Sequence, residues 1–264
     1  MGKTAQNPIS KTRKNHTLPR LITVLFLAIS TGLLIILANF STAAISKTNP
    51  QNPGLINNSP QLLAESLTQK THPLPSTLAK WQDKTNSGDY FDQVTPTKAG
   101  YLIWSRFPVT VKIEKPTNLN EQKAQTWVNS VLQAVQEWNN YLPLQIIENS
   151  EIADITIIRK APPLQIDPNS RFPRARSALT TYEFFTNKNI LSHRFQILLS
   201  PTQTGEYLQS AARHELGHAL GIWGHSPLQT DALYFSQVRN PVTISNRDVN
   251  TLKKVYEQPT SLGW

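Results

Sequence analysis

The sequence contains no cysteine, and its only methionine is Met1. A chain without cysteine forms no disulfide and has no thiolate that could bind or block a metal. If the protein holds a metal and has a latent form, that form would have to block the metal with another ligand or with steric cover. The absence does not decide the compartment, because cytosolic and extracytoplasmic proteins both fold without disulfides.

Acidic residues are also absent from the first 20 positions, where five Lys and Arg residues stand. The rest of the chain holds 21 basic and 17 acidic residues, so the net charge of +9 comes mainly from this end. No basic cluster interleaved with aromatic residues follows residue 20. We therefore predict no binding to nucleic acid.

Residues 21–40 contain no charged residue and are almost entirely apolar. Twenty residues in a helix rise about 30 Å, which is the thickness of a bilayer core. The basic flank is expected to stay in the cytoplasm. We interpret residues 1–20 as a basic cytoplasmic tail and residues 21–40 as a transmembrane anchor that contacts the membrane, with the rest of the chain outside. A cleaved secretory signal, with small residues at Thr42 and Ala44, is the alternative and would give a secreted protein.

Residues 41–75 are rich in Pro, Asn and Gln, which break long elements. We interpret them as a linker between membrane and domain, with a pro-segment as the alternative. Residues 76–264 are predicted to fold as one domain that starts with an irregular, aromatic-containing segment over 76–100.

Hydrophobic periodicity predicts both strands and helices in this domain, which makes it an α+β fold. The predicted strands cover 100–114, 144–148, 153–159, 177–185 and 194–199. The predicted helices cover 119–140, 204–220 and a last segment that begins at a capping box formed by Ser245 and Asp248.

The segment 214–225 contains the candidate metal ligands and the candidate general base. His214 and His218 are four residues apart, which places both imidazoles on one face of a helix, where they can bind one zinc ion. Glu215 adjoins the first histidine, where a general base can take a proton from zinc-bound water. Gly221 can end the helix, so that His225 returns as a third ligand and the fourth position stays open.

These residues carry a resemblance to a known family. Residues 211–221 resemble the active-site helix of metzincin metallopeptidases, and of matrixins in particular. Residues 231–234 fall where that family has its Met-turn, and residues 244–256 resemble its C-terminal helix. The resemblance implies a metzincin-like fold with a twisted mixed sheet, a long helix, an active-site helix and a C-terminal helix. It also implies a zinc endopeptidase that cleaves peptide or protein substrates.

The sequence departs from the matrixin pattern at several positions. One extra residue precedes the third histidine, so Gly224 stands at the usual ligand position and His225 follows it. We predict His225 as the ligand and Asp231 as its alternative. Leu233 replaces the methionine of the Met-turn, and an apolar side chain of similar size can fill the same space.

Other departures concern sites outside the histidine motif. Asp248 matches the aspartate that supports the Met-turn in the family, whereas Arg247 replaces the preceding acidic residue, which argues against activation by pairing with a new amino terminus. Residues 160–192 contain one aspartate, Asp167, and no histidine. We therefore expect no additional structural zinc or calcium site.

Two rival functions follow from these departures. The first is a catalytically inactive adaptor that keeps the fold and the zinc on the membrane surface. The second is a peptidase whose third ligand is a distant carboxylate, as in gluzincins.

Overall fold

A computed structural model of the protein describes residues 68–148, 152–166 and 172–264. The predicted cytoplasmic tail and the predicted anchor, residues 1–20 and 21–40, lie outside the described residues. Among the described residues, no helix is both long and apolar enough to cross a membrane. Attachment to a membrane therefore stays a prediction from the sequence.

The fold is of the α+β class, as predicted, and the described residues form one five-stranded mixed sheet and four α-helices. The strands, in chain order, are β1 (Val109–Ile113), β2 (Leu144–Ile146), β3 (Ile155–Arg159), β4 (Ala178–Asn187) and β5 (Ile190–Leu199). The helices are α1 (Ser76–Lys80), α2 (Glu121–Asn139), α3 (Gly205–Ala219) and α4 (Asn246–Tyr256).

The sheet has the order β2-β1-β3-β5-β4, which puts β4 at an edge. The first four strands in this order are parallel, and β4 alone runs antiparallel to its neighbour β5. The two-residue turn between them consists of Lys188 and Asn189, both with positive φ. Such turns match the twist of antiparallel strands, which explains why the last two strands form a hairpin.

The first strand is shorter than the sequence predicts. We predicted a strand over 100–114, but β1 begins at Val109, so the prediction is wrong for residues 100–108. A strand that alternates between core and solvent does not bury three successive side chains, as this segment does. The chain at the start of this segment instead runs along the C-terminal residues, where the Ser261 N–H donates to the Ala99 carbonyl oxygen. The three buried residues are Leu102, Ile103 and Trp104.

The core lies between the sheet and the two long helices. One face of α2 is buried, and its Trp138 donates its indole N–H to the Arg213 carbonyl oxygen at 2.8 Å. Helix α3 packs against α2 and against the strands β4 and β5. Its residues from Ala211 to Ala219 are all buried, so the histidine motif is part of the core rather than of the surface.

The segment before residue 100 packs on the domain, as the aromatic residues in it predicted, but it is not irregular throughout, since it contains α1. Lys70 exchanges two main-chain hydrogen bonds with Thr260, and the His72 ring stacks on Trp264 at 4.4 Å. These residues fall in the part of the chain that we interpreted as a linker; in the structure they lie against the folded domain. Further along, the Tyr90 hydroxyl donates to the buried carboxylate of Asp248.

Replacing Tyr90 by phenylalanine is expected to destabilise the protein by about 1–3 kcal/mol, because the buried Asp248 carboxylate loses a donor. The measurement is the free energy of unfolding in urea. Tyr101→Phe is the matched control, since Tyr101 is only half-buried and packs its ring on Phe91. Equal losses in the two variants would contradict the importance of the contact between Tyr90 and Asp248.

Candidate metal centre

Helix α3 brings the first two predicted ligands together. His214 and His218 are one turn apart on the same face, and each is only 3% exposed. Their Nε2 atoms lie 3.1 Å from each other. The spacing in the sequence predicted this pairing, and the geometry is that of two nitrogens aimed at one point.

Main-chain carbonyls determine which nitrogen of each ring carries the hydrogen. His214 Nδ1 lies 2.8 Å from the Ala232 oxygen, and His218 Nδ1 lies 2.7 Å from the Ile222 oxygen. A carbonyl oxygen only accepts hydrogen bonds, so both Nδ1 atoms donate. In the neutral rings neither Nε2 atom then carries a hydrogen. The lone pairs of the two Nε2 atoms therefore face each other. A positive ion removes this repulsion.

The third predicted ligand joins the pair. Gly221 has a φ of +127° and lets the chain turn back after α3. The ring centroid of His225 lies 5.3 Å from that of His214 and 4.8 Å from that of His218. One nitrogen from each of the three rings lies within 4.8 Å of the other two. Among the described residues this is the one cluster of three or more potential ligands.

Burial keeps the three rings neutral, which is the form that binds metals. It lowers the pKa of His214 to about 3 and that of His225 to about 4. Burial also lowers the pKa of His218, with a further contribution from the neighbouring His214. A cluster that resists protonation is suited to hold a cation at neutral pH.

The donor set fits zinc. Three imidazoles and one open position make a typical catalytic zinc site. Two ligands about 2.0–2.1 Å from a tetrahedral ion are about 3.3 Å apart, close to the observed 3.1 Å between the Nε2 atoms of His214 and His218. The outer hydrogen bonds from Nδ1 to main-chain oxygens are those that zinc-bound histidines normally make.

Gly224 explains why the third histidine is displaced by one position. A Cβ atom on Gly224 would lie 2.0 Å from the main-chain oxygen of Gln93. The loop is also tied to this segment by a hydrogen bond from the Thr95 N–H to the Trp223 oxygen. With this backbone a side chain at position 224 would overlap the Gln93 carbonyl, whereas the His225 ring reaches the other two imidazoles.

Asp231, the alternative ligand, has other partners. Its carboxylate accepts hydrogen bonds from the Ser226 and Ser245 hydroxyls and from the Arg247 guanidinium. Arg247 also donates to the Ser87 oxygen, which ties the segment before β1 to α4. The carboxylate therefore connects the loop after His225 to α4 and is not part of the imidazole cluster.

The turn that follows the histidines forms the floor of the cluster. Leu233 is fully buried, and a Cβ added at Gly217 would lie 2.6 Å from its Cδ2 atom, so the helix and the turn are in close contact. The Asp248 carboxylate accepts hydrogen bonds from the N–H groups of Ala232 and Leu233. Because Ala232 in turn binds His214, this aspartate supports the turn as the sequence predicted.

Glu215 lies next to the cluster and is fully buried. Its Oε2 accepts a hydrogen bond of 2.6 Å from the Thr180 hydroxyl, whereas its Oε1 has no protein partner. Burial raises the pKa of Glu215 to about 8, against the opposing effects of the Thr180 hydrogen bonds and the Arg176 charge. A carboxylate with one anchored and one open oxygen can accept and return a proton.

Sequence reasoning did not identify two contributors to this site. Thr180 was predicted only as a strand residue, although a polar residue between Ala178 and Tyr182 on a buried face was a usable signal. The main chain of Gln93 was not predictable, because its contact joins positions far apart in the chain and involves no characteristic side chain. The expected absence of further metal sites in 160–192 stays a prediction, since part of that segment is not described.

Replacing His225 by alanine is expected to weaken zinc binding by more than the 10–100-fold typical of losing an outer hydrogen bond, because a direct ligand is removed. Zinc affinity measured by competition with a chelator checks this. His72→Gln is the control, since His72 is a histidine outside the imidazole cluster whose ring stacks on Trp264. Unchanged affinity in His225→Ala would favour a distant carboxylate as the third ligand.

Replacing Gly224 by alanine is expected to weaken zinc binding and to destabilise the protein by about 1–3 kcal/mol, because the new methyl group overlaps the Gln93 oxygen. Chelator competition and urea unfolding measure the two effects. In the control Gly205→Ala, the new methyl group meets no atom within 4 Å but sits at a residue with a φ of +54°. This variant should lose about 1 kcal/mol of stability from backbone strain while its zinc affinity does not change. Normal zinc affinity in Gly224→Ala would contradict the proposed reason for the longer spacing.

Comparison with known proteins gives one family. The family model for matrixin peptidases matches residues 103–257, which is more than half of the chain and includes all three histidines and Glu215. The comparison with curated proteins gives no match. The match agrees with the imidazole cluster, the supporting aspartate and the mixed sheet described above. The chain belongs to the matrixin family.

Proposed function

We propose that this protein is a zinc-dependent endopeptidase in which His214, His218 and His225 hold the metal and Glu215 is the general base. Matrixins are zinc metallopeptidases, which supports the class of reaction. The observation that carries the proposal is the meeting of three neutral imidazoles beside a buried carboxylate with one open oxygen. A structural metal site has no use for such a carboxylate, whereas hydrolysis requires one.

The sheet offers a place for a peptide substrate next to this carboxylate. Strand β4 is at the end of the sheet order and pairs on one side with β5. An extended peptide can add to such an edge through main-chain hydrogen bonds, without regard to its side chains. Because Thr180 of β4 contacts Glu215, a peptide held along this strand would pass close to the base. This arrangement suits cleavage within a chain.

The reaction needs water to attack the peptide carbonyl and a proton to reach the leaving nitrogen. When bound, the zinc ion supplies Lewis-acid activation of the water and of the carbonyl. The Oε1 atom of Glu215 accepts the proton of the attacking water, while Oε2 stays bound to Thr180. Glu215 then donates this proton to the amine nitrogen as the C–N bond breaks. The buried position of Glu215 limits the loss of the proton to solvent.

Replacing Glu215 by alanine is expected to retain zinc and to reduce peptide hydrolysis about 10²- to 10⁴-fold, because the base is lost and the imidazoles remain. The assay measures cleavage of a casein-like substrate together with zinc content, and a hydroxamate should inhibit the wild-type protein. Glu206→Ala is the matched control, since Glu206 is exposed in the first turn of the same helix.

Two results would contradict the proposal in different ways. Full activity in Glu215→Ala would show that another group is the base. A zinc-loaded wild-type protein that cleaves no peptide would favour the inactive adaptor instead.

A further inference from the structure

A threonine on the edge strand is in direct contact with the proposed base. The Thr180 hydroxyl lies 2.6 Å from Glu215 Oε2 and 3.1 Å from the main-chain oxygen of the same residue. Thr180 is 3% exposed and Glu215 is fully buried. A hydroxyl has one hydrogen to donate, and the shorter contact, to a carboxylate, is the stronger of the two.

The position of Thr180 on a buried face of β4 bears on the role of its hydroxyl. Its neighbours on the same face of β4 are Ala178, which is buried, and Tyr182, whose ring packs on Phe195. A β-branched apolar residue would fill the same space in this face. A buried hydroxyl costs free energy unless it has a partner, and Glu215 is that partner.

We propose that Thr180 is a positioning residue that acts through Glu215. Its hydroxyl holds Oε2, which fixes the rotation of the carboxylate and leaves Oε1 as the oxygen that exchanges the proton. The proposal rests on the proposed peptidase function, since it assigns a role within that reaction. Without the hydroxyl, the carboxylate would have no side-chain donor at Oε2 and would sample other rotations. Oε1 would then face the attacking water less often, and the rate of hydrolysis would fall.

The position also connects substrate binding to catalysis. Thr180 belongs to the strand that is proposed to pair with the peptide, and its main chain is held in register with Ile197 of β5. Thr180 therefore fixes the Glu215 carboxylate relative to the edge strand that would hold the peptide. A rigid strand that carries the anchor of the base keeps the two in a constant geometry.

The test uses two substitutions at this position in the full-length, zinc-loaded protein. Thr180→Val keeps the β-branched shape and removes the hydroxyl, whereas Thr180→Ser keeps the hydroxyl. Thr156→Val is the matched control, because Thr156 lies in β3 of the same sheet on the partly exposed face. The measurements are kcat, KM and zinc content with one peptide substrate.

We expect Thr180→Val to lower kcat by about 10- to 100-fold with KM and zinc content unchanged. Thr180→Ser should regain kcat to within about threefold of wild type, and the control should match wild type. A purely structural threonine would instead give equal kcat in the valine variant and the wild type once both are folded and loaded with zinc. That result would overturn the proposal.

A second measurement reports the contact without relying on activity. Thr180→Val is expected to lower the melting temperature by about 5 °C in the wild-type background, because a hydrogen bond to a buried carboxylate is lost. In the Glu215→Ala background the same substitution should have a much smaller effect. Equal shifts in both backgrounds would mean that the hydroxyl does not act on the carboxylate, and would also overturn the proposal.

These outcomes separate the two proposals. If zinc-loaded wild type and Thr180→Ser both fail to cleave peptides, the peptidase function is wrong and the positioning role falls with it. If the wild type is active and Thr180→Val is equally active, only the role of Thr180 is wrong.

Discussion

The Nε2 atoms of His214 and His218 face each other at 3.1 Å inside the protein, and neither has a hydrogen to share. Two lone pairs that converge on one point suit a shared cation, and other contacts orient the rings that carry them. Carbonyl oxygens of Ala232 and Ile222 fix the two rings from outside. Asp248 in turn fixes the turn that carries Ala232. These contacts together keep two lone pairs aimed at one point, where a single cation can bind both.

The parts of the site that were predictable from sequence depend on contacts within one element. The four-residue spacing placed two histidines on one helical face, and the glycine after the helix indicated a return of the chain. The hydrophobic periodicity likewise predicted α2 and α4, because a helix shows its buried stripe in its own sequence. His225 was predictable from the resemblance together with the two glycines before it, and the structure brings its ring to the other two.

The remaining parts depend on contacts between distant segments. Residues 101–104 read as the start of a strand because they are apolar, but Leu102, Ile103 and Trp104 are all buried. The main chain just before them bonds to Thr260 and Ser261, which no local pattern reveals. The partnership of Thr180 with Glu215 requires the register of the hairpin and the position of α3 over it. The contact between Gln93 and Gly224 involves main-chain atoms, and the identity of residue 93 does not indicate it.

That last contact constrains where the third imidazole can lie in this protein. The shorter spacing of the family would put an imidazole at position 224, where the Gln93 carbonyl lies. The longer loop and the segment around Gln93, which precedes the family match, thus pack closely against each other through main-chain atoms. A change in the length of this loop would therefore need a matching change in the segment around Gln93 for the close main-chain packing at Gly224 to persist.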